Sequence, residues 1–334
     1  MKNNDRPTPV RSKIIGTGSG MPDKVLTNFD LEKMVDTTNE WIVQRTGIRE
    51  RRIAADNEST ITFALKASQQ ALEEASMDPK DLDMIIVGTD TPDMVLPSTA
   101  CLLQGELGAM DARAFDLKAG CTGWLYSLVV ADNFIKCNPD FKVLVVGAEL
   151  LSRSVDWEDR ATCVLFGDGA GATVVTGSQG GDGILSTCLR ANGAAWDALT
   201  MVGGGSMHPP SHEMVDNKTW AIQMQGNRVF KMAVPAMEEV AWWVLTDSGM
   251  TPEDVDLMIP HQANIRIMDA VAQRLGIAKE KVVVNVDRYG NTSTATIPVA
   301  LAEANREGRL KKGDLVLMVS FGGGFTWGGA LMKW

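Results

Sequence analysis

Histidine is scarce in this chain, and so is tyrosine: 334 residues carry three of the first and two of the second. A mechanism that needs an imidazole therefore has only His208, His212 and His261 to draw on. His208 and His212 have the i, i+4 spacing of helical metal ligands, but Pro209 and Pro210 lie between them, so the segment reads as a loop and no metal site is expected. The five cysteines, Cys101, Cys121, Cys137, Cys163 and Cys188, are odd in number and never fall at CxxC spacing, which argues against a disulfide framework or a zinc ribbon. A reducing, cytoplasmic setting is expected. Long hydrophobic runs are missing too. Val143–Val146 and Leu315–Val319 are strand-length and too short to span a bilayer, and Met1–Val10 is polar without a signal-like segment. Positive charge is outweighed, 32 Lys and Arg against 42 Asp and Glu, so a general nucleic-acid binder is not expected. GxGxxG and GK[ST] are both absent, so Gly16–Gly20, after the strand Lys13–Ile15, is expected to be a tight turn and not a phosphate loop.

What is present reads as a globular α/β protein. Apolar residues make up 45% and charged residues 22%, ordinary values for a packed domain. Apolar strands at 83–88, 142–147 and 173–176 alternate with helical patterns at 60–76 and 98–107. The second half echoes the first. Met77-Asp78-Pro79-Lys80-Asp81-Leu82-Asp83 returns as Met250-Thr251-Pro252-Glu253-Asp254-Val255-Asp256, and Val143–Val146 returns as Leu315–Val319. Between them the Cys121 turn aligns roughly with Tyr289–Ser293, and these three echoes in one order imply an internal duplication, with halves at 1–178 and 179–334.

The duplication places chemistry at equivalent turns. Phe115–Leu117 reads as a strand, Gly120-Cys121-Thr122-Gly123 as a tight turn, and Trp124–Ile135 as a helix, which puts Cys121 near a helix N-terminus that favours a thiolate. A buried structural cysteine remains the alternative. The matching turn of the second half carries Asn291, and His261 directly follows the strand Leu257–Ile259, where ligands bind in such folds. Trp41 and Arg45 share one helical face, which would suit an adenine and a phosphate, but on these residues alone a packed Trp with a solvated Arg is the better reading.

Five separated motifs carry a resemblance: Glu40–Arg49, the Cys121 turn, Pro260–Asn264, Tyr289–Ser293 and Phe321–Gly328. In this order they resemble the β-ketoacyl-acyl-carrier-protein synthase III family, over about residue 13 to the C-terminus. The resemblance implies a thiolase fold, two duplicated halves in a five-layered α/β/α/β/α domain, as a homodimer. It implies a decarboxylating condensation of an acyl-CoA primer with malonyl-acyl-carrier protein, through an acyl group on Cys121. His261 and Asn291 would stabilise the enolate, and the Cys121 and Gly323 amides would form a second oxyanion hole. No metal or redox cofactor is implied. Carried over residue by residue, Thr37, Trp41, Arg45 and Arg160 would hold the coenzyme A head, with Trp41 and Arg160 about the adenine. Ala263, Asn264 and Phe321 would line the pantetheine tunnel, and Leu96 would floor the partner's acyl pocket. Lys231, Arg266 and Arg274 would meet the acidic carrier protein; Gln273 departs from the pattern, which often has a second base there.

Other chemistries on this pattern are weaker. A thiolase would place a second cysteine near Gly322-Gly323-Gly324, and an elongating synthase would have a histidine where Asn291 stands. A papain-like protease shares the Cys, His, Asn order but starts from an early cysteine in a disulfide-bonded chain. A polyketide-type condensing enzyme and a non-elongating acyl-CoA-dependent acyltransferase stay open as alternatives. Primer length and branching are not readable, because the Gly- and Pro-rich loop 201–216 has no pattern to follow.

Overall fold

The computed structural model describes residues 10–334. The polar stretch at residues 1–9 read above lies outside them. Nine strands build two sheets. Strands β1 (Arg11–Gly20), β2 (Met84–Gly88), β3 (Arg113–Leu117), β4 (Lys142–Leu150) and β5 (Asp168–Ser178) form the first, in the order β1-β5-β4-β2-β3. Strands β6 (Gly183–Ala191), β7 (Leu257–Pro260), β8 (Leu315–Gly322) and β9 (Thr326–Lys333) form the second, in the order β6-β9-β8-β7. The pairing sense repeats as well. β2 runs parallel to both β3 and β4, and β7 parallel to β8, while β4–β5 and β5–β1 against β8–β9 and β9–β6 are antiparallel. The counterpart of β3 shrinks to one parallel bridge between Met258 and Val282.

The layering follows from the period of two in the strands. Met84 and Ile86 of β2, Val143 and Val145 of β4, and Val316 and Met318 of β8 point into one shared core. That core is filled by two helices, α4 (Gly123–Cys137) and α7 (Thr296–Arg306), through Leu125, Leu128, Ile135, Ile297 and Leu301. The alternate residues Ile85, Val87, Leu144 and Val146 face outward onto α2 (Thr60–Glu74) and α3 (Thr99–Leu107). Leu317 and Val319 likewise face α5 (Gly226–Asp247) and α6 (Ile265–Leu275). Helices, sheet, helices, sheet and helices make five layers, the thiolase-type arrangement.

Three expectations need correction. Gly16–Gly20 is not a turn, because β1 runs through it to Gly20. A Cβ at Gly16, Gly18 or Gly20 would fall 2.1, 2.0 or 2.2 Å from the carbonyl oxygens of Ala71, Ala67 and Phe63, so the glycines let α2 lie directly on the strand. The strand expected at 173–176 extends over Asp168–Ser178, taking in the Gly- and Ala-rich segment before it. His212 opens a single helical turn, His212–Asp216, capped by the Ser211 hydroxyl, while His208 stays in the loop.

Candidate active site

A cavity of about 600 Å³ opens at the carboxyl ends of the parallel strands. Cys121, His261 and Asn291 all line it. Cys121 sits in a 3-10 turn, Gly120–Thr122, which passes straight into α4. Backbone packs on backbone here: Gly120 has φ +56°, and a Cβ on it would lie 2.7 Å from the Gly323 amide nitrogen. A Cβ on Gly322 would lie 2.4 Å from the Cys121 nitrogen, so only glycine suits either position. The Ser320 hydroxyl donates to the Cys121 carbonyl at 2.9 Å and the Thr326 hydroxyl to the Ala119 carbonyl at 2.7 Å, which ties the turn to the end of β8 and the start of β9.

His261 follows β7, and its amide donates to the Val319 carbonyl of β8 at 2.8 Å. Its Nδ1 lies 2.6 Å from the Thr296 hydroxyl. Asn291 is held from both sides. Its N–H donates to the Leu165 carbonyl at 2.8 Å, and its own carbonyl accepts from Gly167 at 3.1 Å. The 164–167 segment is itself pinned by Arg51, whose buried guanidinium donates to the Val164 carbonyl at 2.8 Å. Across the molecular centre, the Trp124 amide donates to the Thr294 hydroxyl at 2.6 Å, joining the starts of α4 and α7.

The electrostatics differ from the expectation of a resting thiolate. Cys121 keeps some surface toward the cavity but is crowded on every side, and that desolvation pushes its thiol up to about 12. The Asp90 and Glu149 carboxyls push the same way, while the Ser293 hydroxyl and the residue's own amide oppose them. Burial therefore favours the protonated thiol over the thiolate that a helix N-terminus alone would favour. Burial also pushes His261 down, to about 3, so the imidazole is neutral.

The remaining predicted residues separate into groups. Arg45, Ala263, Asn264, Arg266, Phe321 and Gly323 line the same cavity as the three central side chains. Asn264 also caps α6 through the Arg266 amide and donates to the Arg45 carbonyl at 3.1 Å. Trp41 lies beside Arg45 on α1 (Asn39–Thr46), with the guanidinium carbons of Arg45 and Arg160 at 5.5 and 5.3 Å from its ring centroid. Arg160 thus stacks on the indole itself, and a base held between the two must first displace it. The Thr37 hydroxyl nearby is buried with no partner among the described residues. Leu96 lies apart on an exposed apolar loop with Met94 and Val95. Of the basic residues, Arg266 stacks at 5.6 Å on Phe230, Lys231 is exposed, and Arg274 is paired with Glu238 at 2.6 Å.

Sequence reasoning passed over Asp90, Lys118, Glu149, Ser293 and Thr296. Asp90 and Lys118 line the cavity. Glu149 is fully buried near the end of β4 and accepts from the Asp90 and Thr91 amides and from the Thr91 hydroxyl. Burial and the neighbouring Asp90 raise its carboxyl above the ordinary range. A carboxylate ending an apolar strand was the available signal.

Two family models match the chain: 3-oxoacyl-[acyl-carrier-protein] synthase III over residues 115–193, and the C-terminal part of the same family over residues 245–334. The β-ketoacyl-[acyl-carrier-protein] synthase III of Desulfitobacterium hafniense (strain DSM 10664 / DCB-2) is 55% identical over 321 residues, 96% of this chain and 97% of that one. The corresponding protein of Caldanaerobacter subterraneus subsp. tengcongensis is 52% identical over 97% of this chain and 98% of its own. The crystal structure of the Aquifex aeolicus synthase III superposes with a TM-score of 0.91 at 52% identity, covering 97% of this chain and all of that one. A priming β-ketosynthase from the R1128 polyketide pathway also superposes, at a TM-score of 0.90 and 35% identity over 99% of both chains. With its motifs in one cavity and its fold and sequence matched nearly end to end, the chain belongs to the β-ketoacyl-[acyl-carrier-protein] synthase III family.

Proposed function

We propose that the chain condenses an acyl-CoA primer with malonyl-acyl-carrier protein, giving β-ketoacyl-acyl-carrier protein, coenzyme A and carbon dioxide, the initiating step of fatty acid synthesis. The observation that carries this is the convergence of Cys121, His261 and Asn291 on one cavity. Cys121 attacks the primer thioester, and its proton ends on the departing coenzyme A sulfur. The Cys121 and Gly323 amides border the position of the acyl oxygen and receive its developing charge. Malonyl-thioester then loses carbon dioxide. Its enolate oxygen meets neutral His261 and the Asn291 amide, and the enolate carbon attacks the acyl-Cys121 carbonyl. A proton from solvent restores the thiol. No step asks for a metal or a redox cofactor.

Thr37, Trp41, Arg45 and Arg160 take the coenzyme A head, and Ala263, Asn264 and Phe321 the pantetheine arm. Arg266, at the cavity lining, and exposed Lys231 meet the acidic carrier, while Arg274 is partly neutralised by Glu238. The apolar loop Met94-Val95-Leu96 is the contact to a second copy, since Val95 and Leu96 are 99% and 84% exposed. The enzyme works in the cytoplasm; among the described residues no helix is long and apolar enough to cross a membrane.

The test is release of carbon dioxide from malonyl-carrier when acyl-CoA is supplied. Acyl transfer to another acceptor without carbon dioxide release would favour the non-elongating acyltransferase. Condensation restricted to an unusual primer would favour a polyketide-priming role, which the R1128 likeness keeps in view.

A further inference from the structure

Arg51 lies in the short strand Glu50–Arg52, fully buried, and forms no ion pair among the described residues. Its neighbour Glu50 turns instead to Arg52, at 3.9 Å. Burial lowers the Arg51 guanidinium only to about 10, so it stays charged at neutral pH. A buried cation without a counter-ion is costly, and here its hydrogen bonds are what offsets that cost. All of them go to neutral oxygens on other segments. Nη1 donates to the Leu26 carbonyl at 3.1 Å and to Asn28 Oδ1 at 2.9 Å. Nη2 donates to Asn28 Oδ1 at 3.0 Å and to the Val164 carbonyl at 2.8 Å.

Two lines run from this fork. Through Asn28 it reaches α1, which carries Trp41 and Arg45. The Asn28 Nδ2 donates to Oδ1 of Asn39, the first residue of α1, at 3.1 Å, and to the Ile48 carbonyl, just past its end, at 2.8 Å. Through Val164 it reaches the segment that starts at Arg160 and ends on Asn291. There the Leu165 carbonyl takes the Asn291 N–H, and the Gly167 N–H donates to the Asn291 carbonyl. The stem of Arg51 is gripped as well. A Cβ on Gly167 or Gly290 would fall 3.1 or 3.2 Å from the Arg51 Cβ, so both loops close tightly over it.

We propose that Arg51 is a positioning residue that holds the Asn291 amide in place at the cavity, by anchoring its loop to the frame that carries Trp41 and Arg160. The inference rests on the reading above, in which Asn291 meets the enolate oxygen. A donor out of place loses its effect on the transition state. Cys121 is held by the ends of β8 and β9 instead, so acyl transfer to it should tolerate a loosened Asn291.

Amide hydrogen exchange on the substrate-free enzyme reads the anchor directly. The Asn291 and Gly167 amides should be protected in the unsubstituted protein. Arg51→Met should make both exchange faster and leave β2 and β4 slow. It should also lower condensation with malonyl-carrier about tenfold more than self-acylation at saturating acyl-CoA. Arg51→Lys keeps a cation but not the planar fork, so it should fall between the two, and it carries the comparison if Arg51→Met does not fold. Fast exchange of the Asn291 amide in the unsubstituted enzyme overturns the proposal, with no variant needed. So does a folded variant in which both rates fall alike or neither falls. An Asn291→Ala enzyme that condenses at full rate overturns the enolate role, and with it the purpose given to Arg51; exchange reads the anchor separately, without substrate.

Discussion

The side-chain oxygen of Asn291 accepts the backbone N–H of Ser293 at 2.8 Å. An N–H needs an oxygen opposite it, so this contact fixes which way the amide is turned and leaves the Nδ2 hydrogens for the cavity. Asn291→Ala should still take an acyl group from acyl-CoA on Cys121 but lose condensation by about 10²-fold or more, as for a lost oxyanion donor. Asn291→Asp has the same shape and no donor when ionised, and should lose as much. Single-turnover acylation measured beside steady-state condensation checks this. Equal losses in the two would show that Asn291 serves the thiol as well.

Acyl-CoA should modify Cys121 alone. Cys101 and Cys137 are exposed and Cys163 and Cys188 buried, so a small alkylating reagent should reach Cys101 and Cys137 readily while the acyl group goes to the crowded Cys121. Peptide mapping by mass spectrometry after radiolabelled acyl-CoA decides it. A label on any other cysteine with Cys121 free sinks the acyl-enzyme assignment.

His261 should give stability a pH dependence of defined sign. Its pKa is 6.5 when unfolded and about 3 in the folded chain. A depressed folded value gives stability that is present above pH 6.5 and is lost as pH falls toward 3, at about 1.4 kcal/mol per pH unit. The stability difference between the native chain and His261→Asn, from denaturant melts at pH 7, 6 and 5, should therefore narrow on acidification. Condensation should show no acid limb near pH 6.5. A constant difference across that range would mean that His261 titrates normally.

Arg266 should contact the carrier more than the primer. It stacks on Phe230 near the lining of the cavity, while Arg274 is already engaged by Glu238. In a chain of net charge −10, Arg266→Glu should raise KM for malonyl-carrier strongly and in a salt-dependent way. KM for acyl-CoA should move far less, and Arg274→Glu should have the smaller effect. Equal weakening of both substrates, or indifference to salt, would make Arg266 a tunnel-rim residue.

The two-half α/β plan and the meeting of Cys121, His261 and Asn291 in one cavity were legible because each rests on a short contiguous signal: repeated apolar strands, Gly-flanked turns at Cys121 and Asn291, and a histidine directly after a strand. Gly16–Gly20 misled because the same glycines serve a turn or a closely packed strand, and only the position of Ala67 and Ala71 on a helix 50 residues away distinguishes them. The resting state of Cys121 was hidden for a related reason. A helix N-terminus is local, but the desolvation that raises the thiol comes from burial in the folded chain, with Asp90 and Glu149 adding to it. Thr296 looked like an ordinary helix-start hydroxyl. Its contact with His261 spans 35 positions, a separation that no motif encodes.

The two helices between the sheets have a bearing on motion. The opening turns of α4 and α7 carry almost no exposed residue, and Cys121 and Asn291 stand just ahead of them. Amides there should exchange with deuterium among the slowest in the protein, so the most reactive atoms ride on the least yielding part of the scaffold. Breathing that admits the primer must then come from the periphery. The exposed run 204–213, close to the Leu199, Thr200 and Met201 lining, is where fast exchange and protease nicking should concentrate.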